Sequence, residues 1–485
     1  MGGLSMLASN AELPRRLATL GLLGLVGLVG GLVVLRFSPE KVLIAALGLG
    51  FIAFAVKRID APFLLLVLLV IVLQETESAK GSLFSYLSME NRGKLPHLLE
   101  WGACALLVAF AMHYFFWRKP LFLSPISLPF AAFLFLIGLS LVVGLVQGND
   151  PVILKQDFKK FLFPILFFIC AINILDSEKR IRVLLIAVFT LSAVKSAVGI
   201  LYYLAGLGFA YEDNSVIFVE TADNLLLVTC IVAAASLVIS RALRPTRLLF
   251  LCAAVLPMIF SLLFSYRRNA WLGVLLSLLL LACLAPRRQR IRIAAVGAAS
   301  LILLTLFVSI AGTSRSLVSD RFLKDRLFSI TDRGESSNTA HMIEWEITTR
   351  ETMRQPVLGL GLGSKHSPVP GIEGMPTHTV HNAFLMLWMK MGIIPVGFFL
   401  WWLLRYVRFG IRAAQIEDDT SLKAIQRALF ATLGYWAVSL NVGPTWHYYR
   451  ETFLMALVVA LVIRLASLKP VSSLVPSGVP RPGVN

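Results

Sequence analysis

Long apolar runs recur along the chain, separated by short polar junctions. They fall near 17–35, 42–56, 61–73, 98–116, 127–147, 159–175, 182–208, 223–241, 247–266, 270–285, 292–312, 382–404, 425–442 and 451–467. A helix of roughly 20 apolar residues crosses a bilayer. In hydrocarbon every backbone N–H and C=O has to pair within the chain, so runs of this kind are predicted to be helices. The pattern predicts an all-α polytopic membrane protein with about 14 transmembrane helices. Arg15 and Arg16 before the first run give it the look of a signal peptide. No small-residue cleavage site follows and the run is long enough to span, so it reads as a retained helix.

The polar junctions then set a direction. With the N-terminus in the cytoplasm, alternate junctions carry Lys57/Arg58, Arg118/Lys119, Lys179/Arg180/Arg182, Arg241/Arg244/Arg247, Arg287/Arg288/Arg290/Arg292 and Arg405/Arg408/Arg412. The junctions between them are mixed or acidic, as in Tyr211-Glu212-Asp213-Asn214, although Lys155, Lys159 and Lys160 weaken the contrast. Cytoplasmic loops are enriched in Lys and Arg, so the expectation is a multi-pass inner-membrane protein with both termini inside. Residues 1–312 then hold helices 1–11, 313–381 a large periplasmic loop, 382–467 helices 12–14, and 468–485 a disordered cytoplasmic tail rich in Pro, Ser and Gly. Within the loop, Ile343, Ile347 and Met353 alternate with Glu344, Glu346 and Arg350, predicting a helix capped by Asn338 and ended by Pro356.

Composition agrees and removes one class of function. Of 485 residues 57% are hydrophobic and 15% charged, against about 25% charged in soluble domains. The net charge of +18 lies in the junctions rather than in a soluble basic domain, which argues against a nucleic-acid partner and for the lipid bilayer. Cys104, Cys170, Cys230, Cys252 and Cys283 all fall within apolar runs without paired spacing, and read as buried, unbridged thiols.

Two polar clusters stand out at outer junctions. Arg267-Arg268, between Tyr266 and Trp271, is placed against the positive-inside trend. It reads either as an interfacial anchor or as an anion site, since guanidinium donors match phosphate oxygens. His378 and His381 stand where the loop re-enters the membrane. A polar cap and a catalytic base are both open readings; a metal is the lesser one, for want of a carboxylate or thiol at ligand spacing. Gly359-Leu360-Gly361-Leu362-Gly363 follows no predicted strand, so it reads as a flexible turn or, less readily, a backbone approach to ligand. Lys195 and Lys390 lie inside predicted spans; for Lys390, snorkelling to the interface is the simpler account.

Taken in order, these residues resemble the O-antigen ligase family, which also holds Wzy-type and exopolysaccharide polymerases. Arg268 precedes Ala270-Trp271-Leu272-Gly273; the long loop and its helix follow, then Pro356-Val357-Leu358-Gly359-Leu360-Gly361. His381-Asn382-Ala383-Phe384-Leu385 and Gly392-Ile393-Ile394 complete the series over about 225–467. The resemblance implies a GT-C-like fold and a metal-independent, inverting glycosyltransferase without cofactors. Its active site would face the periplasm of a bacterial inner membrane. Its donor would be an undecaprenyl-pyrophosphate-linked oligosaccharide and its acceptor a glycan or a lipid. His381 matches the family's catalytic His and Arg268 its outer Arg, with Arg267 adjacent. The family's loop Arg, four residues before a Trp, is here His341 before Trp345. His341 itself, Arg333, Arg350 or Arg354 would then supply the second pyrophosphate contact. The altered residue tips the expectation towards a polymerase, with an O-antigen ligase to lipid A core as the alternative. A lipid-linked glycan flippase is a rival, disfavoured because polar groups gather at one face and no internal repeat is visible.

Overall fold

The computed structural model describes residues 57–72, 98–117, 121–122, 127–205, 209–211, 214–216, 221–265, 267–287, 289–293, 336–370, 377–415 and 420–468. The expected spans at 17–35 and 42–56, most of 292–312, residues 313–335 of the loop and the tail from 469 lie outside them. The described chain is helical apart from one short antiparallel hairpin, β1 (Phe209–Tyr211) and β2 (Asn214–Val216).

The helices in order are α1 (Asp60–Val72), α2 (Leu98–Trp117), α3 (Ser127–Val146), α4 (Pro151–Ile174), α5 (Glu178–Leu204), α6 (Thr221–Ser240) and α7 (Pro245–Phe264). After them come α8 (Arg268–Leu284), α9 (Ser336–Thr352), α10 (Ala383–Met391), α11 (Ile393–Gln415), α12 (Ser421–Ala431), α13 (Leu433–Val442) and α14 (Tyr449–Ser467). Among the described residues α5, α6, α7 and α11 contain segments long and apolar enough to cross a membrane, and α1, α2, α3 and α8 supply shorter apolar stretches. Large side chains such as Phe135, Phe250 and Leu256 point outwards, as lipid-facing residues do. All five cysteines are free, with Cys170 and Cys230 buried; Cys104, Cys252 and Cys283 are exposed, which corrects the expectation that all are buried.

Two predicted spans are divided. The run at 382–404 breaks at Gly392, whose φ of +89° suits glycine and where a Cβ would collide with the Val357 carbonyl. Ile393 N–H instead donates to Pro356 O at 3.0 Å, tying the break to the end of the loop. The run at 425–442 divides at Thr432, whose hydroxyl donates to Leu429 O at 2.6 Å.

α14 runs through the middle of the bundle, packed against α4, α6 and α12. One end of the bundle is rich in arginine, and several of these side chains cap helix C-termini. Arg292 donates to Ile239 O at 3.0 Å and Arg427 to Ala414 O at 3.1 Å, while Arg464 donates to Ile172 O and lies 4.1 Å over the Phe122 ring. Cations favour the negative end of the helix dipole, so these residues both cap and orient. The opposite end carries α9, the start of α8 and the Gly-rich run.

That run is a packed connector, not a flexible turn. Leu360 N–H donates to Met389 O at 2.7 Å, Leu362 N–H to Ser140 O at 3.2 Å and Gly363 N–H to Asp157 Oδ2 at 2.9 Å. At Gly361 φ is +76°, and a Cβ would lie 2.5 Å from Gly144 N. The backbone approaches the protein itself. Asp157 also pairs with Lys390 at 2.9 Å, both fully buried, so Lys390 does not snorkel. Removing one partner of such a pair costs roughly 3–5 kcal/mol, because the other charge is left buried alone.

Candidate active site

Helix α9 builds the site, but not with the face its apolar residues suggest. Its buried stripe is Ala340, Glu344, Thr348 and Thr352, four residues apart, whereas Met353 is exposed. Thr348 and Thr352 turn their hydroxyls back onto the carbonyls of Glu344 and Thr348, both at 2.7 Å, so no polar atom of this stripe is wasted. The helix starts at Ser336, which puts Asn338 inside its first turn rather than at the cap. Trp345 packs on Val380, Met386 and Met389, fixing α9 against α10.

Glu344 is fully buried and accepts from His381 twice. His381 N–H donates to Oε2 at 3.1 Å, and its Nδ1 lies 3.1 Å from Oε1. His341 stands beside them, with Nδ1 3.7 Å from Glu344 Oε2 and its ring 4.3 Å from that of His381. His366 Nε2 is 3.8 Å from Glu344 but bonds to Thr379 O at 3.0 Å, while its Nδ1 meets Ser367 O at 2.7 Å. Burial pushes the Glu344 carboxyl up, yet the imidazoles of His341 and His381 and the His381 N–H together hold it down at about 2. It is therefore an anion at ordinary pH.

This arrangement has a chemical consequence. With its Nδ1–H directed at a carboxylate, His381 keeps the lone pair on Nε2, the tautomer that a general base needs. His341, Glu344 and His381 also bring three donor atoms within 4.8 Å of one another, a set able to hold a divalent ion. The carboxylate missing at ligand spacing in the sequence is thus supplied by the fold. The two uses exclude each other: an ion on Nδ1 would leave the proton on Nε2 and remove the base.

The other sequence candidates fall in three places. Arg267, exposed, and Arg268, half-buried, stand at the start of α8. α8 lies antiparallel to α13: a Cβ on Gly273 would touch Tyr435, and Ser277 Oγ accepts Tyr435 N–H at 3.1 Å. The end of α13 is therefore level with the arginines, and there Asn441 O accepts from Asn382 Nδ2 at 3.3 Å. Arg268 and His381 thus share one end of the bundle, joined through α13. Arg350 turns away, exposed and paired with Glu346 at 2.7 Å, and Arg354 is exposed. Arg333 lies outside the described residues.

His378 belongs to a different cluster. Burial first, then the charges of Lys160 and Lys390, push its pKa down to about 4. A histidine kept neutral by the fold contributes stability above its ordinary pKa, and this is lost as pH falls from about 6.5 to about 4. In His378→Gln the thermal midpoint in detergent is expected to fall less steeply over that window than in the wild type.

Lys195, the other charge within a span, is held by a carboxylate that the sequence reading did not single out. Asp223 pairs with Lys195 at 2.7 Å and with Arg450 at 2.5 Å. Both cations also donate to carbonyls at the end of α1: Lys195 to Ile71 O at 2.9 Å and Arg450 to Ile71 O at 3.1 Å. These charges clamp α1, α5, α6 and α14 together. The sequence reading also passed over Glu344, His366 and Asp157. For Glu344 a signal existed: it is a charged residue at four-residue spacing from Ala340, Thr348 and Thr352, a stripe of small side chains suited to close packing.

No curated protein matches the chain. Residues 253–402 match the sequence profile of the O-antigen ligase family, a segment that begins in α7, takes in Arg268, α9 and His381, and ends in α11. The chain is therefore a helical membrane protein in which residues 253–402 are similar to the O-antigen ligase family, and that segment holds the candidate site.

Proposed function

We propose that the protein is a periplasmic-face, inverting glycosyltransferase that polymerises oligosaccharide carried on undecaprenyl pyrophosphate. The observation that carries this reading is the His381 imidazole, oriented by buried Glu344, at the bundle end that also holds Arg268. His381 Nε2 takes the proton of an acceptor hydroxyl as its oxygen bonds to the anomeric carbon. The bond from that carbon to the pyrophosphate oxygen breaks, and the electron pair leaves with the diphosphate. Arg268 and Arg267 stabilise the leaving charge. His341, beside the base, stands in for the loop arginine that the family resemblance leads one to expect. No metal or cofactor enters these steps.

The test is reconstitution in liposomes with a defined undecaprenyl-pyrophosphate oligosaccharide. Longer lipid-linked glycans and released undecaprenyl pyrophosphate are expected. Transfer only when lipid A core is added would make the protein a ligase instead, and translocation without either product would defeat the reading. In this assay Arg268→Lys is expected to impair transfer strongly, because it keeps the charge but loses the planar fork, and Arg267→Lys to cost less. The reverse order would put the pyrophosphate contact one residue earlier.

The orientation is checked separately in a cysteine-free background. An impermeant thiol reagent added outside is expected to label cysteine placed at Ser336 and to spare cysteine at Gln289. Labelling confined to Gln289 would put the site on the wrong side for a periplasmic donor.

A further inference from the structure

A polar cavity of about 640 Å³ opens at the arginine-rich end of the bundle, opposite His381. Its walls come from the start of α1, the end of α2 and the α4–α5 junction. Lys57, Arg58, Lys179 and Arg180 face it, against the carboxylates of Asp60 and Asp176, leaving a net charge of +2 from four cations and two anions. Arg180 is engaged by Asp176 at 2.7 Å and by Ile174 O at 3.2 Å, and Arg58 lies 3.9 Å from Asp60. Lys57 and Lys179 are both exposed at the rim, and neither makes an ion pair among the described residues. The rest of the wall is mostly apolar, with Ala61, Leu64 and Val183 beside the polar side chains of His113 and Ser177. Beside it Leu65, Val183 and Ile186 are 47%, 48% and 66% exposed on the faces of α1 and α5 that meet lipid.

We propose that this cavity binds the phosphate headgroup of an anionic phospholipid from the adjoining leaflet, through Lys57 and Lys179, with its acyl chains along α1 and α5. The volume is that of a small-ligand site. Basic pockets between membrane helices are suited to anionic lipid headgroups, and the mixed wall matches a molecule with a charged head and apolar chains. A soluble anion would have no use for the exposed leucine and valine surface beside the rim. The site is separate from the glycan-transfer chemistry and stands whether or not that reading holds.

The experiment titrates the purified full-length protein with phosphatidylglycerol and, in parallel, with phosphatidylcholine, reading bound lipid by native mass spectrometry. A saturable site selective for phosphatidylglycerol is expected. Each lysine near an anionic headgroup contributes roughly fivefold in affinity, so Lys57→Gln/Lys179→Gln is expected to weaken phosphatidylglycerol by roughly 25-fold. Ala61→Trp fills the cavity while keeping every charge, and is expected to abolish the saturable site. Arg244→Gln/Arg247→Gln, on the same end but outside the cavity, is expected to leave it intact. Equal binding of the two lipids, unchanged affinity in the lysine and tryptophan variants, or an equal loss in the Arg244/Arg247 variant would overturn the proposal. So would displacement of the lipid by millimolar inorganic phosphate, which would mark the site as one for a free anion.

Discussion

Replacing His381 with alanine is expected to lower glycan transfer by roughly a hundredfold or more, the usual scale for a lost general base, while the lipid-linked donor still binds. The split follows from the division of labour in the site. In the proposed mechanism the imidazole acts on the acceptor hydroxyl, whereas the arginines at the start of α8 hold the diphosphate. His378 is the natural control, because it lies only three residues away in sequence yet faces Asp157, Lys160 and Lys390 instead of Glu344. His378→Ala is expected to retain most activity. Chelator treatment separates a base from a metal ligand: a base is insensitive, whereas an ion held by His341, Glu344 and His381 would make activity fall with chelator and return with added divalent metal. Full activity in His381→Ala would remove the catalytic assignment.

Replacing Glu344 with glutamine is the second large effect. The amide is nearly the same shape, but it carries no charge and can present an N–H to His381 Nδ1, favouring the wrong tautomer. Loss of an orienting carboxylate behind a catalytic histidine costs on the order of 10²–10⁴ in turnover. The fall is expected in kcat rather than in donor KM, and Glu344→Asp should recover part of it. Stability gives a readout independent of turnover. The Glu344 carboxyl, ordinarily near 4.5, is held at about 2, so its stabilising contribution is complete above about pH 5 and is lost as pH falls towards 2. The gap in thermal midpoint between wild type and Glu344→Gln is expected to narrow as pH falls below about 5. A variant with unchanged kcat and only a lower midpoint would reduce Glu344 to a structural role.

The order of apolar runs and basic junctions was enough to predict a helical membrane protein, because a helix in lipid must be apolar all round and that property is local to each run. It also led to Arg268 and His381, since both fall in short motifs whose order survives without coordinates. The breaks at Gly392 and Thr432 were not legible, because a continuous apolar run looks the same whether or not a carbonyl from elsewhere presses on its middle. Nor was the fate of the buried charges. Lys390 looked like a snorkelling residue until Asp157 appeared beside it, 233 positions earlier in the chain, and Lys195 had no visible counter-ion until the fold delivered Asp223. Glu344 makes the point most sharply. Its distance from His381 is 37 residues along the chain and 3.1 Å in space. Periodicity read the helix as apolar towards Ile343 and Ile347, but the surface facing position 344 is backbone and imidazole, which reward a carboxylate rather than an isoleucine. Sequence pattern determines which segments can enter the membrane; only tertiary packing decides which charges meet there, since the cost of an unpaired buried charge is settled by neighbours far away in the chain.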